Sequence, residues 1–286
     1  MIKIYSRREN VVTTTVEKST GKAESAIWNK GILVQIQGKV WSMEAKLEAR
    51  DIGKSPEDIP EFVSLGKKRL FSNKQKNEFV AILGRSRATA ERYGFAFPIT
   101  GAFFVPFKNF DTLKALLDSQ TEKFYAKVDA FVSGYEERRE EFLTQHEEHR
   151  ATLEEHYPEA ETIRSKFGFN ALYYSTKMSS VANGEQSGDE MYVQFVLDSM
   201  NSLREDAREV AQSIKERLKV DKFDGRTERK VGTLIEKLTN MDLMEDSDLK
   251  NAAFRLVADP TSANADKLSD AAKNVEEDDI RAVLLD

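Results

Sequence analysis

The 286 residues, 40% hydrophobic and 32% charged, are enough to bury a core while keeping a polar exterior. There is no cysteine, which excludes disulfides, iron–sulfur clusters, thiolate zinc sites and cysteine nucleophiles and suits a reducing compartment. The net charge of −6 gives no global pull toward nucleic acid or anionic lipid. No run approaches the roughly 20 apolar residues that span a bilayer, and Arg7 and Arg8 interrupt any leader-like start, so the cytoplasm is the expected compartment.

Residues 1–25 are polar and threonine-rich and read as a flexible arm. Ile32, Val34, Ile36 and Val40 alternate, which predicts a strand after Gly31, with Gly38 a candidate bulge. A helix is the competing reading, because Trp28, Ile32, Ile36 and Val40 also lie four apart. Gly53, Pro56 and Pro60 mark a loop. Short helices are expected over 62–70 and 74–93, the second opening at Ser72 or Asn73 and closing before Gly94. In 94–107, Phe95, Phe97 and Ile99 alternate, as do Phe103, Val105 and Phe107. Pro98 and Pro106 rule out a helix interior, so an irregular strand pair fits.

From Asp111, capped by itself or by Asn109, a single helix is expected to run to His156, halted by Pro158. Leu113, Leu117, Phe124, Val128, Phe131, Tyr135 and Phe142 form its seam, and at roughly 65–70 Å it needs a partner helix. A linker is expected over 179–190 and a second long helix over 191–219, the natural antiparallel partner of the first. Shorter helices over 226–239, 247–257 and 262–285 complete the chain, with Gly225-Arg226 a turn.

Candidate chemistry is sparse. His146, His149 and His156 would fall within about 80° of arc on one helix, half of a metal site at most. Their spacing fits neither HExxH nor the Glu-x-x-His of di-iron bundles, so a solvated face is the reading adopted and no metal or cofactor is expected. Lys67, Lys68, Arg69, Lys74, Lys76, Arg85, Arg87 and Arg92 face only Glu78 and Glu91. With Phe71, Phe79 and Tyr93 interleaved, they suit either nucleic acid or an acidic protein. Phe95, Phe97, Phe103, Phe104 and Phe107 are either plain core or an apolar partner patch. Gly66-Lys67-Lys68-Arg69 follows no glycine-rich loop, and neither GxGxxG nor GxSxG occurs, so no catalytic residue is assigned.

Several short matches fall in order: Trp41-Ser42, Lys46-Leu47, Asp51-Ile52, Val63-Ser64-Leu65-Gly66-Lys67-Lys68-Arg69-Leu70, Tyr93-Gly94-Phe95-Ala96-Phe97 and Val105-Pro106. Over about residues 32–174 the chain resembles a domain-of-unknown-function family, number three thousand one hundred and fifty, of bacteria and phages. It departs from the family where Thr100-Gly101-Ala102 replaces a Gly-Gly turn, and the helices after the linker match nothing placed. The resemblance carries no catalytic residues. It implies genes beside a MoxR-like AAA+ ATPase and a von Willebrand A-domain protein, in a bacterium or phage-infected host.

The expected architecture is mainly α: a small mixed α/β head over 26–108, a long antiparallel helical hairpin or coiled coil over 109–219, and a C-terminal helical segment over 220–286. The expected function is non-enzymatic interaction or assembly, as an adaptor of such an ATPase complex, with homo-oligomerisation through the helical seams. The alternative is nucleic-acid binding through 67–92, and an unrecognised enzyme or metal protein stands third.

Overall fold

The computed structural model describes residues 22–99, 101–175, 188–219 and 225–285. They form a mainly helical protein with a small antiparallel sheet. In chain order the elements are α1 (Lys22–Trp28), β1 (Gly31–Lys39), β2 (Glu44–Lys46), β3 (Lys67–Arg69), α2 (Asn73–Tyr93), β4 (Phe95–Ala96), β5 (Ala102–Pro106) and α3 (Phe107–Ser133). Then follow α4 (Tyr135–Gln145), α5 (Arg150–Glu154), α6 (Ala160–Ile163), β6 (Gly168–Tyr174), α7 (Gly188–Leu218), α8 (Gly225–Asn240), α9 (Ser247–Ala258), α10 (Ser262–Ala271) and α11 (Glu277–Leu285). One sheet has the order β4-β5-β1-β6, and β2 pairs with β3 in a separate ladder.

The alternation of 32–40 does become a strand, and the 94–107 segment does become a strand pair. Other expectations give way. Residues 22–28 are helical, so the loose arm of 1–25 is described only at its last residues, and there it is helix. Residues 62–70 form loop and strand instead of a helix, because Gly66 and the paired strand β2 draw them out. Gly225 opens α8 and is no turn. The expected helix over 262–285 is split at 272–276 into α10 and α11. Most of the 179–190 linker lies outside the described residues, and its last three residues already belong to α7.

The chain divides into two compact units. The first comprises Met1–Gln35, Thr89–Lys114 and Leu172–Asp286. One of its two cores joins the sheet to helices. Leu33, Phe97 and Phe104 meet Ala23 and Ile27 of α1, Tyr192, Val193, Val196 and Met200 of α7, and Ile280 and Leu284 of α11. Trp28 lies about 6 Å from the rings of Phe97, Phe104 and Tyr192. Farther along α7, Leu203, Ala207, Ala211 and Ile214 keep helical spacing and bury against Val231, Leu234 and Leu238 of α8 and against α9 and α10. The caps are conventional: Asp246 accepts the amides of Asp248 and Leu249, and Thr261 accepts that of Asn264. The apolar stripe of α7 is thus taken up by α1, α8, α10 and α11.

The second unit comprises Ile36–Ala88 and Ala115–Ala171, and its core is aromatic. Phe71 lies 5.6 Å from Trp41, 5.5 Å from Phe131 and 5.4 Å from Tyr157, while Phe79 lies 4.6 Å from Phe167 and 5.8 Å from Phe124. Phe79, Ile82, Leu83 and Ser86 supply the buried face of α2, and Ser86 donates to the Ile82 carbonyl at 2.9 Å.

The single helix expected over 111–156 is broken. It begins earlier, at Phe107, and Asn109 does not cap it; the Asn109 amide instead donates to the Tyr93 carbonyl at 2.9 Å. It stops at Ser133, and Gly134 takes φ −104°, ψ 20° before α4 starts. The Arg138 guanidinium folds back to donate to the carbonyls of Ala130 and Phe131 at 3.1 and 3.3 Å, acceptors in the last turn of α3, the first of which also accepts from Ser133 Oγ at 3.2 Å. A Cβ on residue 134 would sit 2.1 Å from Nη1 of Arg138, so glycine makes room for this cap. Beyond the break Tyr135, Leu143 and Leu153 are buried, and Tyr135 Oη donates to the Pro158 carbonyl at 2.7 Å. Phe124, Phe131, Tyr135 and Phe142 of the seam find ring partners in the aromatic core of this unit.

Candidate functional site

The residues between β2 and β3 include much of the motif string noted in the sequence, and the fold ties them together. Lys68 sits in β3 opposite Ala45, and its side chain is 7% exposed. Its Nζ lies 2.7 Å from Oδ2 of Asp51, whose side chain is 2% exposed and belongs to the 3₁₀ turn Ala49–Ile52. The same carboxylate accepts the Glu48 amide at 2.7 Å. Burial alone would raise the Asp51 carboxyl; the Lys68 hydrogen bond, the Glu48 amide and the Lys68 charge outweigh it and hold it below the usual range. Above this pair Tyr157 Oη donates to the Leu70 carbonyl at 2.5 Å, and burial pushes that phenol up.

His156 approaches the same place. Ligand-type atoms of Asp51, Glu155 and His156 lie within 4.8 Å of one another. The charges argue against a cation there. Asp51 already holds Lys68, and Glu155 holds Arg50 at 2.6 Å, so a divalent ion would have to displace an ammonium or a guanidinium. The cluster works as a polar bolt fixing the loop 47–66. Of the other histidines, His146 follows the end of α4 and His149, 63% exposed, closes a 3₁₀ turn before α5, so the three do not share the continuous helix that would have aligned them.

The basic residues are dispersed and largely paired. Lys67 and Lys76 share Glu44, at 3.2 and 3.5 Å, and Lys67 first among them holds the Glu44 carboxyl below its usual range. Lys68 is buried against Asp51, and Arg92 pairs with Glu236 at 3.3 Å within the first unit. Arg69, Lys74, Arg85 and Arg87 are exposed. Lys127, with Lys74 and Arg138 farther off, holds the Glu78 carboxyl low.

The aromatic segment is mostly interior. Phe97 and Phe104 are core, Phe95 packs against that core, Phe103 is half-buried, and Phe107 is half-exposed. In the first unit an open groove of about 450 Å³ runs along α7 and α8 past Val210 and Leu234. Its Asp206 and Lys237 form an ion pair across it.

Sequence reasoning marked a loop at 53–60 and missed its extent over 47–66. The loop carries Ile52, Phe62 and Val63 at 48, 91 and 41% exposure. The signal was present as an aromatic–aliphatic pair just past Pro60-Glu61 in a segment bracketed by Gly53 and Gly66, where no helix stripe could bury it. Among the described residues no helix is long and apolar enough to cross a membrane.

No curated protein and no solved structure gives a significant match to the chain. A family model does, over residues 29–254, well past the 32–174 on which the resemblance rested and through α7 and α8 into α9. The chain belongs to the family described as "Protein of unknown function (DUF3150)".

Proposed function

We propose that the chain is a non-catalytic interaction or assembly protein, acting as an adaptor in a complex of a MoxR-like AAA+ ATPase and a von Willebrand A-domain protein. The observation that carries the interaction reading is the pattern of surface exposure. Large apolar side chains stand in solvent at Phe62, Phe107, Phe254 and Val257, while the most buried ionic groups neutralise one another. Exposed aromatics are typical anchors of protein interfaces, whereas catalysis calls for convergent, unpaired polar groups in a cavity. The ATPase assignment rests on the gene context that the family resemblance implies.

The test is reconstitution from purified components. The full chain is mixed with the neighbouring ATPase and von Willebrand A-domain protein, with and without a slowly hydrolysed ATP analogue, and passed over a sizing column. A nucleotide-dependent ternary peak is expected. Separate elution under every nucleotide condition would dismiss the adaptor role.

A further inference from the structure

We infer that the loop 47–66 is a preorganised docking plug, with Phe62 as the anchor that enters an apolar socket rimmed by lysine or arginine on a different protein. This deepens the interaction reading above and does not depend on the partner being the ATPase.

The loop departs from a closed base. β2 and β3 pair antiparallel out to Lys46 opposite Lys67, and the Leu47 amide donates to the Gly66 carbonyl at 3.1 Å. Loops this long without strands of their own are uncommon in compact units and are usually functional. This one is internally tied. Glu48 and Asp51 cap the first 3₁₀ turn reciprocally, and Ser55 and Asp58 do the same for the second, Pro56–Asp58. Gly53 closes the first turn in the left-handed region at φ 68°, and the Val63 amide donates to the Pro60 carbonyl at 2.8 Å. The buried Lys68–Asp51 pair bolts the whole to β3.

A tail without structure can leave a phenylalanine in water through lack of anything to bury it. Here an ordered frame presents it at 91% exposure, with Ile52 and Val63 on the same loop. The conformational entropy that an interface must spend on its loop has already been spent in folding. Aromatic anchors ringed by weaker contacts are the usual hot spots of such interfaces.

Charge selects the occupant. Within 53–63 the chain carries Glu57, Asp58 and Glu61, all exposed, against Lys54, while Arg50 nearer the base pairs with Glu48 and Glu155. An acidic rim repels anionic lipid and favours a basic one opposite. A second copy of the chain, at net −6, is a poor match by the same reasoning.

The experiment places a photoreactive benzoylphenylalanine at Phe62 in the full chain, and as a control at Phe254, in the native host. The partner cross-linked only from position 62 is purified and titrated calorimetrically. Phe62→Ala is expected to weaken binding by about 30-fold or more, and Phe62→Trp to stay within a few-fold of the parent. Glu57→Lys/Glu61→Lys is expected to lose about tenfold and most of the salt dependence. All variants should melt with the parent, because these side chains do not support the fold; this separates lost docking from lost folding.

The inference is overturned if position 62 cross-links nothing, if it cross-links a second copy, or if Phe62→Ala binds as tightly as the parent. Phe62-dependent flotation with phosphatidylglycerol vesicles would overturn it too. A partner other than the ATPase pair would sink the adaptor assignment while leaving the plug intact. A ternary complex indifferent to Phe62→Ala would do the reverse.

Discussion

At the scale of single residues, the Lys68–Asp51 pair illustrates how a buried charge is tolerated. Each side chain is almost wholly withdrawn from water, so neither can lose its partner cheaply. Lys68→Met is expected to cost roughly 3–5 kcal/mol at neutral pH, measured by urea unfolding, because it strands the Asp51 carboxylate. Folding depresses the Asp51 carboxyl, so the pair's contribution is present above the ordinary carboxyl value of 3.8 and is lost as pH falls through the lowered folded value. The gap between parent and variant should therefore narrow in acid, where Asp51 protonates. Buried Tyr135 and half-buried Tyr157 behave oppositely. Burial raises Tyr135 from 10.0 to about 12 and also raises Tyr157. Their contribution is full below the unfolded value and is lost as pH rises through the folded one. Stability should fall between pH 10 and about pH 12, and Tyr135→Phe should flatten that fall while costing about 1 kcal/mol below it for the lost bond to Pro158.

At the scale of elements, the break at Gly134 shows where sequence periodicity misleads. The seam from Leu113 through Tyr135 to Phe142 keeps helical spacing across the break, and no proline interrupts it, so the pattern reads as one helix. At the end of α3 Arg138 reaches back to the Ala130 and Phe131 carbonyls, a contact that spacing rules do not register. The coupling is measurable. Arg138→Ala is expected to cost about 1–2 kcal/mol. Gly134→Ala should cost less, because the atoms nearest the added Cβ are the flexible end of Arg138, which moves aside and gives up at most its two bonds. Combined, the two should cost no more than Arg138→Ala alone, a non-additivity that a double-mutant cycle of unfolding energies would register. Strong local patterns were legible: the alternation of β1, the stripe of α2, the proline-bounded strands β4 and β5, and the spacing of α7. The partners of those stripes were not. Lys68 meets Asp51 from 17 residues away and the Thr152 carbonyl from 84, pairings that no local spacing registers. Phe62 was legible only as an apolar residue with no stripe to join, and it was absorbed into a helix that the β2–β3 pairing displaces.

At the scale of the whole molecule, the first unit is closed by both ends of the described chain. α1 packs on α7 and α11, and Lys22 Nζ donates to the Leu285 carbonyl at 2.9 Å. A protein cut at residue 254, where the family match stops, loses Ala265, Leu268, Ala272, Ile280 and Leu284 from its cores. At a few kcal/mol for each large apolar side chain removed, such a fragment is expected to bind a hydrophobic dye and to show no cooperative thermal transition, whereas a chain spanning residues 22–285 should melt cooperatively. The loop 47–66 has the opposite standing. Its base is sealed by its own strand pair, and its most exposed side chain contributes nothing to either core. Selection for folding therefore leaves Phe62 and its acidic neighbours untouched, and selection for a partner can act on them alone. Between the family-like matches Asp51-Ile52 and Val63–Gly66, residues 53–62 can change recognition by single substitutions while the aromatic core beneath stays as it is.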